Sequence, residues 1–234
     1  MTRTLQIFKK ELKDYFVSPI AYIVICIFLL ISGWFFFSTF FIFNHANLRN
    51  FFNLLPLTYS FVIPAVTMRL FAEEIHSGSY EMLLTLPVKL SDIVLGKFLA
   101  GAVFAAIMLT PTLAYAVSIS FIGDLDWGPV AGGYIGAVLL GAAYSAVGVF
   151  ASSLTKNQIV AFITGMVICF ALTLFDKVVF FFPPLVVDVF TYIAAGYHFE
   201  NISKGILDTR DVLYFASMIF AFLYGAHLVM QEKR

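Results

Sequence analysis

Residues 71–97 read FAEEIHSGSYEMLLTLPVKLSDIVLGK and lie between two long apolar runs. From Arg69 to Lys97, 29 residues carry seven of the chain's 28 Asp, Glu, Lys and Arg side chains, about twice their even share. Ser77-Gly78-Ser79 breaks a helix arriving from the preceding run, because Gly and Ser favour turns over helix interiors. Tyr80 to Leu86 then supplies about two turns before Pro87, whose ring disfavours helix at the residue before it. Tyr80, Leu83 and Leu84 share one face of that short helix and Met82 and Leu86 another, while Glu81 and Thr85 align between them. Ser91 is expected to cap the next helix, with Asp92 favourably placed in its first turn. A helix from Ser91 to Phe121 would measure roughly 46 Å. That exceeds the bilayer core, so Lys97 is expected to snorkel at the interface. The stretch therefore reads as a helical hairpin, 69–97, that carries a small helix away from the membrane face.

Outward from this hairpin the chain is 61% hydrophobic and 12% charged, with a mean hydropathy of +0.94. Such a composition belongs to an integral membrane protein. A spanning helix needs about 20 apolar residues, and six charge-poor windows qualify. They lie at about 20–43, between Arg49 and Arg69, between Lys97 and Asp124, between Asp126 and Lys156, at 157–175 and at 212–231. Ahead of them Leu5, Phe8, Leu12 and Phe16 repeat at helical spacing beside Lys9, Lys10, Glu11 and Lys13. That pattern predicts an interfacial amphipathic helix over 1–18. Residues 178–199 compete for a seventh span, but Pro183-Pro184 and Asp188 interrupt them. The segment 176–211 is accordingly expected to be an external loop with short helices.

Basic residues orient the bundle. With both termini in the cytoplasm, ten Lys and Arg fall inside and four outside, while the acidic residues divide seven and seven. The positive-inside rule is then satisfied, and the hairpin 69–97 is cytoplasmic. The fold expected is all-α and polytopic, a single transmembrane domain over 1–234.

Several chemistries are excluded. No phosphate-binding loop is present: GAVLLGAA from Gly136 lacks the Lys and Ser/Thr that would hold phosphates and Mg²⁺. Neither H-E-x-x-H nor G-x-S-x-G occurs, so no enzyme activity is expected of this chain, and no catalytic, cofactor or metal residues are assigned. Cys26 and Cys169 lie in apolar runs, and the four histidines are scattered in sequence. A net charge of zero argues against nucleic acid as a partner. Within the fourth span Gly133, Ala137, Gly141 and Ser145 form a small-residue stripe suited to close helix packing.

The ordered motifs carry a resemblance. Glu73-Glu74, Ser77-Gly78-Ser79-Tyr80-Glu81-Met82-Leu83-Leu84-Thr85-Leu86-Pro87 and Ile93-Val94-Leu95-Gly96-Lys97 resemble the segment between spans two and three of ABC-2 type ABC transporter permeases. HFENISKGILDTRDVLYF, from His198, resembles their segment before the last span. The similarity is greatest to the bacterial group that includes the gliding-motility permease.

The resemblance implies a permease working with separate cytoplasmic ABC ATPase subunits, which would bind the ATP and Mg. It also implies a second copy of the chain or a homologous permease, and an extracytoplasmic accessory subunit is a further candidate partner beside membrane lipid. On this reading residues 1–18 become an elbow helix, and Glu74, Tyr80, Glu81, Met82, Leu83 and Leu86 dock on the ATPase as a coupling helix. Arg69, Glu73 and Lys97 form the hairpin base, with Glu73 a candidate partner for Lys97. The implied function is export across the bacterial cytoplasmic membrane. A scaffold that transmits force to an external partner is the alternative, and an ATP-independent carrier a more distant one.

Overall fold

The computed structural model describes residues 3–43, 48–85, 88–121, 123, 125–178, 191–206 and 208–233, without the side chains at 39–43, 83–85, 176 and 178. It is 90% helical, with no strand among the described residues. The amphipathic start is α1 (Arg3–Val17), followed by α2 (Pro19–Phe43) and α3 (Arg49–Thr67). The hairpin comprises α4 (Arg69–Ser77), α5 (Ser79–Thr85) and α6 (Leu90–Leu109). A 3₁₀ turn at Thr110–Thr112 joins α6 to α7 (Leu113–Ser120), and α8 (Trp127–Leu154) and α9 (Gln158–Val178) follow. A short α10 (Ala195–Ser203) and the last long helix, α11 (Thr209–Glu232), complete the chain.

Among the described residues six helices are long and apolar enough to cross a membrane: Pro19–Ser38, Arg49–Ser77, Leu90–Ser120, Trp127–Leu154, Gln158–Phe175 and Thr209–Glu232. The protein is a multi-pass membrane protein. Pro111 removes a backbone donor where α6 would continue, and the 3₁₀ turn carries the span through. Pro183, Pro184 and Asp188, the residues that argue against a seventh span, lie outside the described residues.

The fourth span, α8, is the axis of the bundle, packed by α3, α6, α9, α10 and α11. Its small residues explain this position. Lipid supplies no hydrophobic force between spans, so they associate by close van der Waals contact and hydrogen bonds. Gly133, Ala137, Gly141 and Ser145 are all buried. A Cβ on Gly133 would overlap the Phe52 ring, and one on Gly148 would overlap the Thr67 hydroxyl. Replacing Gly148 by Ala should therefore cost about 1–3 kcal/mol through overpacking, read as a lowered melting temperature in detergent. Adding Thr67→Ala should recover part of the loss.

Hydroxyls tie the same helices together away from water. Thr173 of α9 meets Ser60 of α3 at 2.8 Å and Tyr144 of α8 at 2.5 Å. By contrast α2 leaves Leu30 and Trp34 about three-quarters exposed, as expected of a helix that faces lipid or another chain.

Ser91 does not cap α6. Its N-cap is Lys89 in extended conformation, without a side-chain cap, and the helix begins at Leu90. Asp92 lies in the first turn as expected, but its carboxylate accepts a hydrogen bond from the Thr4 hydroxyl of α1 at 2.8 Å. The amphipathic helix lies directly against α6 at Gly96, where a Cβ would strike Ile7 and the Thr4 carbonyl.

Candidate functional site

At the hairpin end of the bundle, the turn between α4 and α5 depends on Gly78, whose φ of 73° is left-handed and open to glycine at little cost. The Ser77 and Ser79 hydroxyls lie 2.9 Å apart, both within reach of the Glu74 carbonyl, so that one donates to the other and the second to the carbonyl. The chain thus reverses within three residues and presents α5 as a separate short helix.

Below this tip, Lys97 does not snorkel. It is 1% exposed, and its ammonium donates to Glu74 Oε1 at 2.8 Å, Glu11 Oε1 at 3.0 Å and the Leu70 carbonyl at 2.6 Å. An ammonium has three donors, and all three are used. The carboxylate that pairs with Lys97 across the hairpin base is therefore Glu74 rather than Glu73, joined by Glu11 from α1. Glu73 is exposed and, with Asp14, Arg69 and Ser77, lines an adjoining cavity of about 380 Å³. Arg69 lies over the Tyr15 ring at 4.8 Å. The Tyr15 hydroxyl donates to the Val66 carbonyl at 3.2 Å. Burial pushes its pKa up, with Arg69 opposing, so it stays a proton donor at neutral pH. One ionic cluster thereby joins α1, α4 and α6.

The tip helix is fixed as well. Tyr80, expected on the docking face, is 4% exposed and turns inward, its hydroxyl donating to the Met230 carbonyl at 3.2 Å. That carbonyl is one of the last in α11, where the helix itself supplies no partner. Nearby, Lys233 donates to the Ser153 carbonyl at the end of α8 at 2.6 Å. With Tyr80 inside, Glu81 and Met82 face outward, Met82 at 72% exposure. The Leu83 side chain and all of Leu86 lie outside the described residues.

The far end of the bundle is organised around α10. His198 is buried, with Nδ1 at 2.6 Å from Asp211 Oδ1 and Nε2 at 2.9 Å from the Tyr192 carbonyl. A carbonyl can only accept, so Nε2 carries a proton, and a second proton lies between Nδ1 and the carboxylate. The Tyr214 ring stacks on the imidazole at 4.0 Å, and the rings of Tyr192 and Tyr197 meet it edge-on. This cluster joins α10 to the first turn of α11. One turn away, Glu200 bonds Lys204 at 2.9 Å. The Lys204 hydrogen bond, with Lys177 and Arg49 nearby, holds the Glu200 carboxyl below the usual range against a smaller opposing effect of burial. A depressed carboxylate stabilises the fold above its unfolded value. The contribution is therefore present at neutral pH and fades as pH falls through the folded value. It should also shrink in high salt, because the pair is half exposed, and comparing melting curves at low and high ionic strength checks this.

A family model described as ABC-2 family transporter protein matches residues 5–233, nearly the whole chain. The chain belongs to the ABC-2 transporter family. No curated protein matches it at a significant level. As an ABC-2 protein it is a transmembrane subunit of an ABC transporter, a family whose members work with an ABC ATPase partner and lack an ATPase of their own.

Sequence reasoning found the hairpin of this ABC-2 chain from its turn residues and its proline. Glu11, Tyr15 and Met230 escaped it, since their partners lie 51 to 150 residues away. A signal existed for Lys97: a lysine beside a glycine, about two helical turns inside an apolar helix, where Gly96 opens room for α1.

Proposed function

We propose that the protein is the membrane half of an exporter driven by ATP hydrolysed in a cytoplasmic ATPase partner, and that α5 is the element on which the partner docks. The observation that carries this reading is an exposed Met82 beside Glu81 on a two-turn helix whose other face is fixed by Tyr80. An apolar side chain held outward on a small rigid projection suits insertion into a groove of a partner. The ten-to-four distribution of Lys and Arg supports a cytoplasmic hairpin and cytoplasmic termini. The sparsely covered flank of α2 suits a second permease copy. Export, the bacterial cytoplasmic membrane and the gliding-motility-like group follow from the motif resemblance.

Co-purification tests the docking. In mild detergent the wild-type protein should retain its ATPase subunit, whereas Met82→Asp should lose at least about tenfold of it. The elution profile of the permease itself should not change, because Met82 is 72% exposed and lies outside the buried core. Undiminished ATPase recovery with Met82→Asp would remove α5 from the interface.

A further inference from the structure

The segments on the hairpin side of the spans hold ten Lys and Arg against seven Asp and Glu, and four of those cations, Arg3, Lys9, Lys10 and Lys13, belong to α1. That helix sorts its side chains into strips. Thr4, Ile7, Glu11 and Tyr15 form the strip that meets α6, through the Asp92 carboxylate, Gly96, Lys97 and the Phe104 ring. Leu5, Phe8, Leu12 and Phe16 are half-buried beside it. Lys9 and Lys13 are exposed, and the order Leu5, Lys9, Lys13, Phe16 at spacings of four, four and three residues sets them along the edge of the apolar strip, away from α6.

The apolar strip lies at membrane depth. Only Ser18 separates α1 from the span that begins at Pro19, and Phe16 meets Tyr22 of α2 edge-on at 6.2 Å and Phe104 of α6 at 5.9 Å. Tyr22 is 54% exposed, as suits an aromatic ring at the headgroup level. A helix with apolar side chains toward the acyl boundary and cations along their edge lies in the interface plane.

The carboxylates of α1 are engaged elsewhere. Glu11 pairs with Lys97 at 3.0 Å, and Asp14 lines the cavity that also holds Arg69 and Glu73. Lys10 reaches Glu11 and Glu74 at 3.6 and 3.8 Å. Lys9 and Lys13 form no ion pair among the described residues, and at i and i+4 on one helix they repel each other. An anionic surface would relieve that repulsion and supply the missing countercharge.

We propose that the edge of α1 formed by Lys9 and Lys13 binds the phosphate headgroups of anionic phospholipids in the leaflet on the hairpin side. Leu5, Leu12 and Phe16 enter the acyl boundary beneath those headgroups. Thr4 and Glu11 fasten the opposite face of α1 to α6, so the lipid holds the hairpin base as well as the helix. The site stands apart from ATPase docking, since no residue of α5 takes part.

The test uses the full-length protein reconstituted in phosphatidylcholine bilayers with a trace of spin-labelled lipid, and electron spin resonance reads the share of label immobilised at the protein. Wild type should associate with spin-labelled phosphatidylglycerol in preference to spin-labelled phosphatidylcholine of the same chains. That preference should fall about threefold or more in Lys9→Gln/Lys13→Gln, on the scale of two basic residues near an anionic surface. Lys89→Gln/Lys156→Gln removes two exposed cations from the same side of the spans but off α1, and should leave the preference as in wild type. An undiminished preference in Lys9→Gln/Lys13→Gln, or an equal loss in the two double variants, overturns the proposal. Equal association of the two labels with wild type overturns it too, and leaves the basic edge to an acidic protein. Should Lys9→Gln/Lys13→Gln aggregate, wild type is compared at low and high salt. Exposed lysines are screened by salt, so a preference that salt does not weaken overturns the proposal likewise.

Discussion

Replacing Lys97 by Met should destabilise the protein by about 3–5 kcal/mol, the usual cost of removing one partner from a buried ion pair. Met approximates the length of the lysine stem, so little packing is lost. What remains is two carboxylates, Glu11 and Glu74, close together at 11% and 13% exposure, with only the exposed Lys10 ammonium, at 3.6 and 3.8 Å, left to balance them. The Leu70 carbonyl also loses a donor. Like charges would then push α1 away from the hairpin legs. Thermal unfolding in detergent followed by intrinsic fluorescence reads the change, and limited proteolysis of the N-terminal helix locates it. The triple variant Lys97→Met/Glu11→Gln/Glu74→Gln should regain much of the loss, because it removes the stranded charges along with their partner. If Lys97→Met alone melts as the wild type does, the cluster contributes nothing to stability.

A loss of similar size is expected for His198→Leu at the other end. Asp211 is 4% exposed and would be left buried without its partner at 2.6 Å, a cost again of about 3–5 kcal/mol. His198→Leu/Asp211→Leu should be markedly more stable than His198→Leu, since an apolar pair of similar volume carries no buried charge. Melting curves of the two single variants and the double variant form a cycle whose coupling should be large. Additive effects would mean that the two side chains do not act together.

These two clusters show where sequence reading succeeds and where it stops. The six spans were legible because lipid excludes charge, and each lies within one continuous window, such as 15–48, that can be scanned without knowing its neighbours. Gly78 and Pro87 likewise act locally, so the separate tip helix could be read from its own residues. Burial, in contrast, is decided by what packs from elsewhere. Lys97 was expected to reach the interface because its own helix offers it nothing better; α1 supplies Glu11 and covers it instead. Tyr80 shares a helix with Met82, and the Met230 carbonyl that its hydroxyl reaches lies 150 residues away on α11. His198 and Asp211 lie 13 residues apart on different helices, and no helical period links them.

Chain order gives the Tyr80 contact one more meaning. Residue 80 emerges from the ribosome long before residue 230, so the hydrogen bond from Tyr80 to the Met230 carbonyl cannot form until the last span has been made. A truncated or half-inserted chain would possess the α5 sequence but lack this tie. The helix proposed for docking therefore gains its hold on α11 only at the end of synthesis.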